Sequence, residues 1–234
     1  RAAVVATPFA PLPLQSAQIR VTGADPRRFH PDAPQALLDL DADLTPSAAT
    51  APAARPGIAD WIVSGPLRIV NRQPGSYDRG ALPVDSLAAR LRWADGELAV
   101  SDFDLRVPGH GRAVGAVGWR APKAGAAGFG SVDADLRIDR LDARQLDRRA
   151  VATRIAGTIR AAADAGAQTL RADLRDPQLA LRLEARHASG LITVDKLVAS
   201  ARAASLDATG KLALDTPGAF EARGRLSRFD PRAF

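Results

Sequence analysis

The sequence predicts an all-β fold with one or two short helices, arranged as an elongated, mostly antiparallel sheet. Three observations predict this fold. Apolar and polar residues alternate with a period of two along most of the 234 residues, no long helical pattern competes with that alternation, and one short motif recurs three times. A sheet with one apolar face and one charged face follows from the alternation.

The alternation is clearest in four segments. From Val132 onward, for example, apolar residues occupy even positions while Asp and Arg occupy odd positions. Because successive strand side chains point to opposite faces, each segment is expected to place its apolar residues together. We predict that the following residues line an apolar groove: Val132, Leu136, Ile138, Ile155, Ile159, Leu179, Leu181, Leu183, Leu206, Leu212 and Leu214. Weaker alternation elsewhere brings the total to about twelve strands, or roughly 60 Å of sheet.

One predicted strand changes phase in its middle. Leu98 and Val100 have even positions, whereas Phe103 and Leu105 have odd positions. A β-bulge or tight turn near Ser101–Asp102 is expected, because one extra residue brings both halves onto the same face.

The helices that the sequence predicts are short. Pro26–Leu37, which two internal prolines interrupt, and Asp142–Ala150 are the best candidates. Thr45–Gly57 and Ala121–Gly130 have loop composition, and Gly109–Arg112 is typical of a hairpin turn.

The repeated motif occupies Ser16–Phe29, Asp133–Leu146 and Glu221–Phe234, which align without gaps. In each copy a strand ends at an Asp, with Arg two positions later and Phe or Leu four positions later. We expect the Asp to cap a short helical turn and the final Phe or Leu to pack back against the sheet. A new strand is expected soon afterwards, as at Leu38 and Val151. A ligand site at this turn is the alternative interpretation.

The repeat suggests one continuous β-segment over residues 1–234. Its approximate units are 30–146 and 147–234, preceded by the end of another unit at 1–29. Gly96 and Gly190 each open a predicted strand, and Gly-led strands are expected again at Gly115 and Gly210. Since the chain starts at Arg1, has no Met and ends on the third copy, we expect it to be part of a longer protein.

Composition excludes several classes of function. With no Cys, the chain has no disulfide or thiolate chemistry, and its three His have no metal-binding spacing. The net charge of +6 is compatible with nucleic acid, but the Arg residues are dispersed and aromatics are only 5%, so we expect no nucleic-acid binding. No apolar run approaches the length of about 18 residues that a membrane helix needs.

Carboxylates recur two residues apart, which places them about 7 Å from one another on one strand face. These are Asp39, Asp41 and Asp43, then Asp102 and Asp104, then Asp133 and Asp135. Acid–base chemistry on a glycoside is one interpretation. Because Arg shares the same face, we predict a solvated outer surface instead, with no catalytic residues, no cofactor and no metal.

The most distinctive segment is Asn71–Trp93. It fits the pattern N-x-x-P-G-x-x-D, then L-P-L-x-x-L, then L-x-W, through Asn71, Pro74, Gly75, Asp78, Leu82, Pro83, Leu87, Leu91 and Trp93. Val84 stands where Leu is usual. This segment resembles the TamB family, the inner-membrane subunits of the bacterial translocation and assembly module, and the broader AsmA-like group of bridge-like lipid transfer proteins. The Gly-x-Leu-x-Val strands and Asp-Pro-Arg-x-Phe turns are similar to that family as well.

The resemblance implies a taco-like β-groove with an apolar interior. It also implies a periplasmic location, with the parent protein anchored in the inner membrane of a Gram-negative bacterium. The implied partners are phospholipid acyl chains, a TamA-like outer-membrane barrel protein that engages the parent chain, and client β-barrel proteins.

Two functional hypotheses follow. The first is a groove segment that carries phospholipid between the inner and outer membranes and supports outer-membrane assembly. The alternative is a scaffold or chaperone-like module whose strand edges pair with client β-strands, without lipid transport. A purely structural stalk with a dry, closed interior is a third possibility.

Overall fold

The computed structural model describes residues 2–6, 14–48, 61–122, 130–164, 167–201, 203–214 and 219–228. These residues form fourteen strands, one four-residue α-helix, α1 (Ala143–Leu146), and two 3₁₀ turns, Pro26–Arg28 and Tyr77–Arg79. The strands are β1 Ala2–Ala6, β2 Leu14–Ala24, β3 Leu38–Ala48, β4 Trp61–Asn71, β5 Ser86–Ala94, β6 Glu97–Val107, β7 Gly111–Arg120, β8 Ser131–Leu141, β9 Ile155–Asp164, β10 Ala167–Asp176, β11 Leu179–Ala188, β12 Leu191–Ala201, β13 Ala204–Ala213 and β14 Phe220–Ser227.

All fourteen strands belong to one sheet, and their spatial order is their order along the chain. Adjacent strands are antiparallel throughout, from the β1–β2 pair to the β13–β14 pair. The sheet does not close on itself, because β1 and β14 lie at its two ends. The predicted all-β, elongated antiparallel sheet is therefore confirmed.

The sheet is a single layer. In the part of the chain that the structure describes, the extensive contacts between strands join sheet neighbours only. Few side chains are fully buried, and most of the buried apolar ones within strands share one face: Ala42, Ala89, Val107, Ile138 and Ala172. Greater burial on one face of a single layer is the result of curling, so this face is the inner one.

The predicted phase change in β6 is a β-bulge. Val100 and Phe103 both pair with β7, and the register shifts between them. Asp102 adopts a φ of 50°, which turns the extra residue out of the ladder. Bulges of the same kind follow Ile138 in β8 and Val194 in β12, so the bending recurs along the sheet.

Three inner-face glycines mark close approaches between neighbouring strands. A β-carbon on Gly65, Gly115 or Gly157 would lie 2.0 Å or less from a carbonyl oxygen of an adjacent strand. Glycine in such a strand position permits a sharp local bend that any other residue would block. The three glycines lie in β4, β7 and β9, so such close approaches recur across the middle of the sheet.

Short hairpins join several strands. Gly96 and Gly190 follow residues with positive φ and directly precede β6 and β12, which confirms them as turn glycines before a strand. The predicted hairpin at Gly109–Arg112 is also confirmed. The expectation for Gly115 and Gly210 is wrong, because both lie inside strands, where they allow close backbone approach rather than lead a strand.

The repeated Asp turn has the same geometry in both copies that the structure describes. Asp25 accepts a hydrogen bond from the backbone N–H of Arg27 at 3.0 Å, and Asp142 accepts one from that of Arg144 at 3.1 Å. The third copy, at Asp230–Phe234, lies outside the described residues.

Other expectations about these turns need correction. Phe29 is 84% exposed and does not pack against the sheet. The predicted helices Pro26–Leu37 and Asp142–Ala150 are too long. The helical residues are Pro26–Arg28 and Ala143–Leu146, and the chain leaves helical geometry directly after each. The strand after α1 starts at Ile155 rather than Val151. Of the predicted loops, residues 49–57 and 123–129 lie outside the described part, and Thr45–Ala48 belongs to β3.

Candidate functional site: an open apolar face

Strand register assembles the predicted groove residues on one face of the sheet. Leu136 pairs with Ile159, Ile159 with Ala172, Ala172 with Leu183 and Leu183 with Leu197, which makes one continuous apolar row from β8 to β12. We call the side of the sheet that carries this row the apolar face. Ten of the predicted groove residues lie on it: Val132, Leu136, Ile138, Ile155, Ile159, Leu179, Leu181, Leu183, Leu206 and Leu212. Leu214 follows the last residue of β13.

The apolar face extends well beyond the residues that the sequence singled out. On the other side of Leu136 the row continues through Gly115 to Phe103. Further apolar members that register adds are Leu40, Leu67, Ile69, Leu87, Leu105, Leu170, Leu174, Val194, Leu197, Phe220 and Leu226. Weaker alternation in the sequence already marked several of these strands, but only pairing could order them into rows.

Polar residues are confined to the margins of this face. Among the described paired positions they are Asn71, Gln168, Asp176 and His187, all at or next to strand ends. The middle rows therefore carry only apolar side chains and glycine. Many of the large ones are half-buried, and several are exposed, among them Leu170, Leu179, Leu212, Phe220 and Leu226. A surface of this size normally marks an interaction site rather than a solvent-facing surface.

Two tryptophans add aromatic area to the apolar face. Trp93 of β5 and Trp119 of β7 both pair with Leu98 of the strand between them. Their rings stack across that residue with centroids 6.2 Å apart and an interplanar angle of 27°. The pair lies at the end of the sheet where β5 and β7 terminate, so it forms one margin of the face.

The opposite face is a ladder of arginines and carboxylates. Cross-strand ion pairs join Arg20 to Asp41 at 2.7 Å, Arg112 to Asp104 at 2.7 Å and Arg186 to Asp195 at 2.8 Å. The hydrogen bond from Arg112 holds the pKa of the Asp104 carboxyl below its usual value. The i, i+2 carboxylates thus lie on this charged face, where the sequence predicted a solvated surface. Exposed pairs of this kind contribute little to stability, so their main effect is on solubility and orientation.

The distinctive Asn71–Trp93 segment owes part of its pattern to a buried amide. Asn71 is 5% exposed, and its side-chain oxygen accepts hydrogen bonds from the backbone N–H groups of Leu37 and Gln73, both at 3.1 Å. Its side-chain nitrogen donates to the carbonyl of Leu82 at 3.2 Å. One side chain thereby ties together the two connections that precede β3 and β5.

Replacing Asn71 with Ala is expected to lower the free energy of unfolding by about 2 kcal/mol, because two backbone donors and one carbonyl lose their buried partner. Chemical denaturation of the two proteins measures the difference. Gln73→Ala is a suitable control, since its exposed side chain makes none of these bonds. Equal stability of both variants would contradict this role for Asn71.

Among the residues that the structure describes, no group of three or more His, Asp or Glu side chains is placed to hold a metal ion. Within the same residues, no helix has the length and apolar character needed to cross a membrane.

Fold and face together define a class of protein: an open, single-layer antiparallel sheet with one apolar and one charged surface. Comparison with protein-family models, with curated proteins and with solved structures finds no match to this chain.

Proposed function

We propose that this chain is a segment of a lipid-conducting β-groove whose apolar face holds phospholipid acyl chains. Such a segment carries phospholipid between the inner and outer membranes and supports outer-membrane assembly. The proposal includes a periplasmic location and an inner-membrane anchor in the parent protein. It also includes a TamA-like barrel protein as the partner of that parent. The location, the anchor and this partner are proposed because of the resemblance in Asn71–Trp93.

The observation that carries the proposal is the uninterrupted apolar middle of the sheet. Its rows pass from strand to strand without a charged residue, and in the described residues no second layer packs on them. Each methylene of an acyl chain that leaves water for such a surface contributes about 0.8 kcal/mol, so lipid is held without specific polar contacts. A continuous surface also lets a chain slide between equivalent positions.

Quenching of tryptophan fluorescence by brominated lipid tests this proposal. Trp93 and Trp119 lie on the apolar face, within reach of any acyl chain there. Protein purified and loaded with a phospholipid that carries bromine on its acyl chains is expected to lose at least a third of the emission that it shows with the unbrominated lipid. Bromine quenches only at near-contact distance, so the loss reports acyl chains on this face.

The matched control has its single indole on the charged face, in the variant Trp61→Phe, Trp93→Phe, Trp119→Phe, Val198→Trp, and its emission is expected to be nearly the same with both lipids. The test protein carries Trp61→Phe alone, so that its emission comes from Trp93 and Trp119. Equal emission with both lipids, in protein shown to be folded by circular dichroism, would reject the acyl-chain assignment.

The edges of the sheet favour a second candidate, in which the chain pairs with client β-strands. Within the described residues β14 pairs with β13 alone, and its side chains are almost all exposed. A photocrosslinker at Arg223 of β14 and another at Ala199 on the apolar face separate the two functions. Peptide adducts at Arg223 without lipid adducts at Ala199 would favour the scaffold.

A further inference from the structure

Three long connections meet along one end of the sheet. They are residues 25–37, 72–85 and 142–154, and since each joins an even-numbered strand to the next odd one, antiparallel order puts them at the same end. We call them together the connection ridge. Its first and second members join through Gln35, whose N–H donates to the Gly80 carbonyl at 2.7 Å. Its second and third join through Asp78, which accepts from the N–H of Arg148 at 3.1 Å.

The carboxylates of the connection ridge are largely engaged with backbone. Asp25, Asp78 and Asp142 each accept hydrogen bonds from backbone N–H groups, and among the described residues none of the three forms an ion pair with a guanidinium. Asp147 accepts both the backbone N–H and the side chain of Arg149, and the side-chain bond lowers the pKa of its carboxyl to about 2. These acids are thus held inside the turns that they stabilise.

The arginines of the connection ridge are much freer. It contains eight Arg against six Asp. Arg28, Arg79, Arg148 and Arg154 are exposed, and their side chains form no ion pair with any described residue. Arg27 and Arg144 donate to carbonyl oxygens instead of carboxylates. Four of the six ridge Asp accept hydrogen bonds from ridge backbone, so the ridge exposes more arginine without an ion pair than free carboxylate.

Each connection also exposes one large apolar side chain beside these arginines. Phe29 is 84% exposed, Tyr77 67% and Val151 72%. None of the three packs in the sheet, although each lies within three residues of an exposed Arg. Exposed aromatic and aliphatic side chains interleaved with arginine are typical of proteins that lie on a bilayer surface, where apolar groups enter the acyl boundary and cations meet phosphate.

We infer that the connection ridge is a docking surface for an anionic phospholipid bilayer. Its arginines are complementary to phosphodiester headgroups, and Phe29, Tyr77 and Val151 are complementary to the acyl boundary just beneath them. The inference deepens the proposed function, because the ridge runs along one margin of the apolar face and would bring that face to a membrane that supplies or receives lipid. It concerns a different surface, however, and can be tested separately.

Flotation with vesicles tests the inference. The chain is expected to float with vesicles of phosphatidylcholine containing 30 mol% phosphatidylglycerol and to stay behind with pure phosphatidylcholine. Each arginine near an anionic surface strengthens binding roughly fivefold, so the triple variant Arg28→Gln, Arg79→Gln, Arg148→Gln is expected to bind on the order of a hundredfold more weakly. Phe29→Ser with Tyr77→Ser is expected to weaken binding at least fivefold.

The matched control removes the same charge from the charged face. Arg68, Arg92 and Arg137 are exposed there and, within the described residues, likewise form no ion pair. Their triple change to Gln is expected to alter vesicle binding by less than a quarter of the effect of the ridge variant. Equal losses in both triples would mean a general effect of net charge and would overturn the inference. So would binding of poly-glutamate as tightly as phosphatidylglycerol vesicles, since that result indicates an acidic protein partner.

The two proposals fail separately. The ridge variants are expected to retain quenching by brominated acyl chains, because Trp93 and Trp119 lie on the apolar face. A chain that binds no anionic vesicles but shows strong quenching would reject the docking surface and leave the groove intact. Vesicle binding without quenching would reject the groove alone.

Discussion

Replacing Leu183 with Arg is expected to remove acyl chains from the centre of the apolar face while the sheet stays folded. Leu183 lies in the middle of β11, between Ala172 of β10 and Leu197 of β12. An acyl chain at this point would either strip water from the guanidinium or move away from it. Taking a charge out of water costs several kcal/mol, far more than the methylene contacts at one position supply.

Because the chain has no cysteine, a single introduced cysteine can carry a fluorophore that reports this effect at one position. A fluorophore attached to Ala199→Cys lies on the apolar face of β12, directly opposite Leu181 and next along that face from Leu197. Its quenching by brominated acyl chains is expected to fall at least fivefold when Leu183 becomes Arg. Quenching of Trp93 and Trp119, which lie several strands away, is expected to persist because the block is local.

Val198→Arg is the matched control for Leu183→Arg. Val198 lies on the charged face of β12, opposite Arg182 and Asp207, so a guanidinium there remains in water and finds a carboxylate. Quenching of the Ala199→Cys label should be unchanged in this variant. If Leu183→Arg is folded and its label is quenched as strongly as before, acyl chains do not occupy the centre of this face.

The sequence predicts the strands well because each carries its own alternating pattern. The β6 bulge illustrates the strength of that signal: the change of parity between Val100 and Phe103 predicts a bulge or tight turn near Ser101–Asp102, and the structure has a bulge there. The turns at Gly96 and Gly190 also have a local sequence signal, since a positive φ before a strand favours glycine. Features encoded within a few residues are thus readable without a structure.

Features that depend on distant residues were less accessible. The period-two alternation around Leu136 and around Leu183 shows which residues of each strand share a face. It does not show that Leu136 and Leu183 belong to one row across four strands. The contact between Asp78 and Arg148 joins residues 70 positions apart, and no local pattern predicts it. The exposure of Phe29 could not be anticipated either, because an aromatic residue after a capped turn usually has a surface to pack against.

Under the proposed function, the two faces and the ridge have different roles in binding lipid and letting it move. The apolar face offers repeated, nearly equivalent contacts, so no position holds a ligand much more strongly than its neighbour. The ion pairs of the charged face keep the opposite surface in water. In the proposed groove, specific contacts are left to the strand ends, where the tryptophan pair and the connection ridge lie.

The second large effect concerns Gly115, one of three glycines at which neighbouring strands approach too closely for a side chain. Gly115 has a φ of 151°, and a β-carbon there would lie 1.9 Å from the carbonyl oxygen of Asp135 in β8. Backbone atoms cannot yield as a flexible side chain can, so the two strands must separate or flatten. Gly115→Ala is expected to lower the free energy of unfolding by about 3 kcal/mol, from backbone strain together with overpacking.

Gly118 provides a control three residues further along β7. A β-carbon at Gly118 meets nothing closer than 3.7 Å, where it would contact the β-carbon of Asp133. Gly118→Ala is therefore expected to change stability by less than about 1 kcal/mol, and in the stabilising direction if the unfolded chain loses freedom. Urea denaturation followed by circular dichroism compares the two variants with the parent chain.

Matching midpoints for Gly115→Ala and Gly118→Ala would show that β7 and β8 do not approach closely at Gly115. Close approach at Gly115 would then not be a cause of curling. A large loss of stability confined to Gly115→Ala would instead show that the packing of β7 against β8 depends on that one backbone contact. The comparison is direct because β7 keeps every other side chain in both variants.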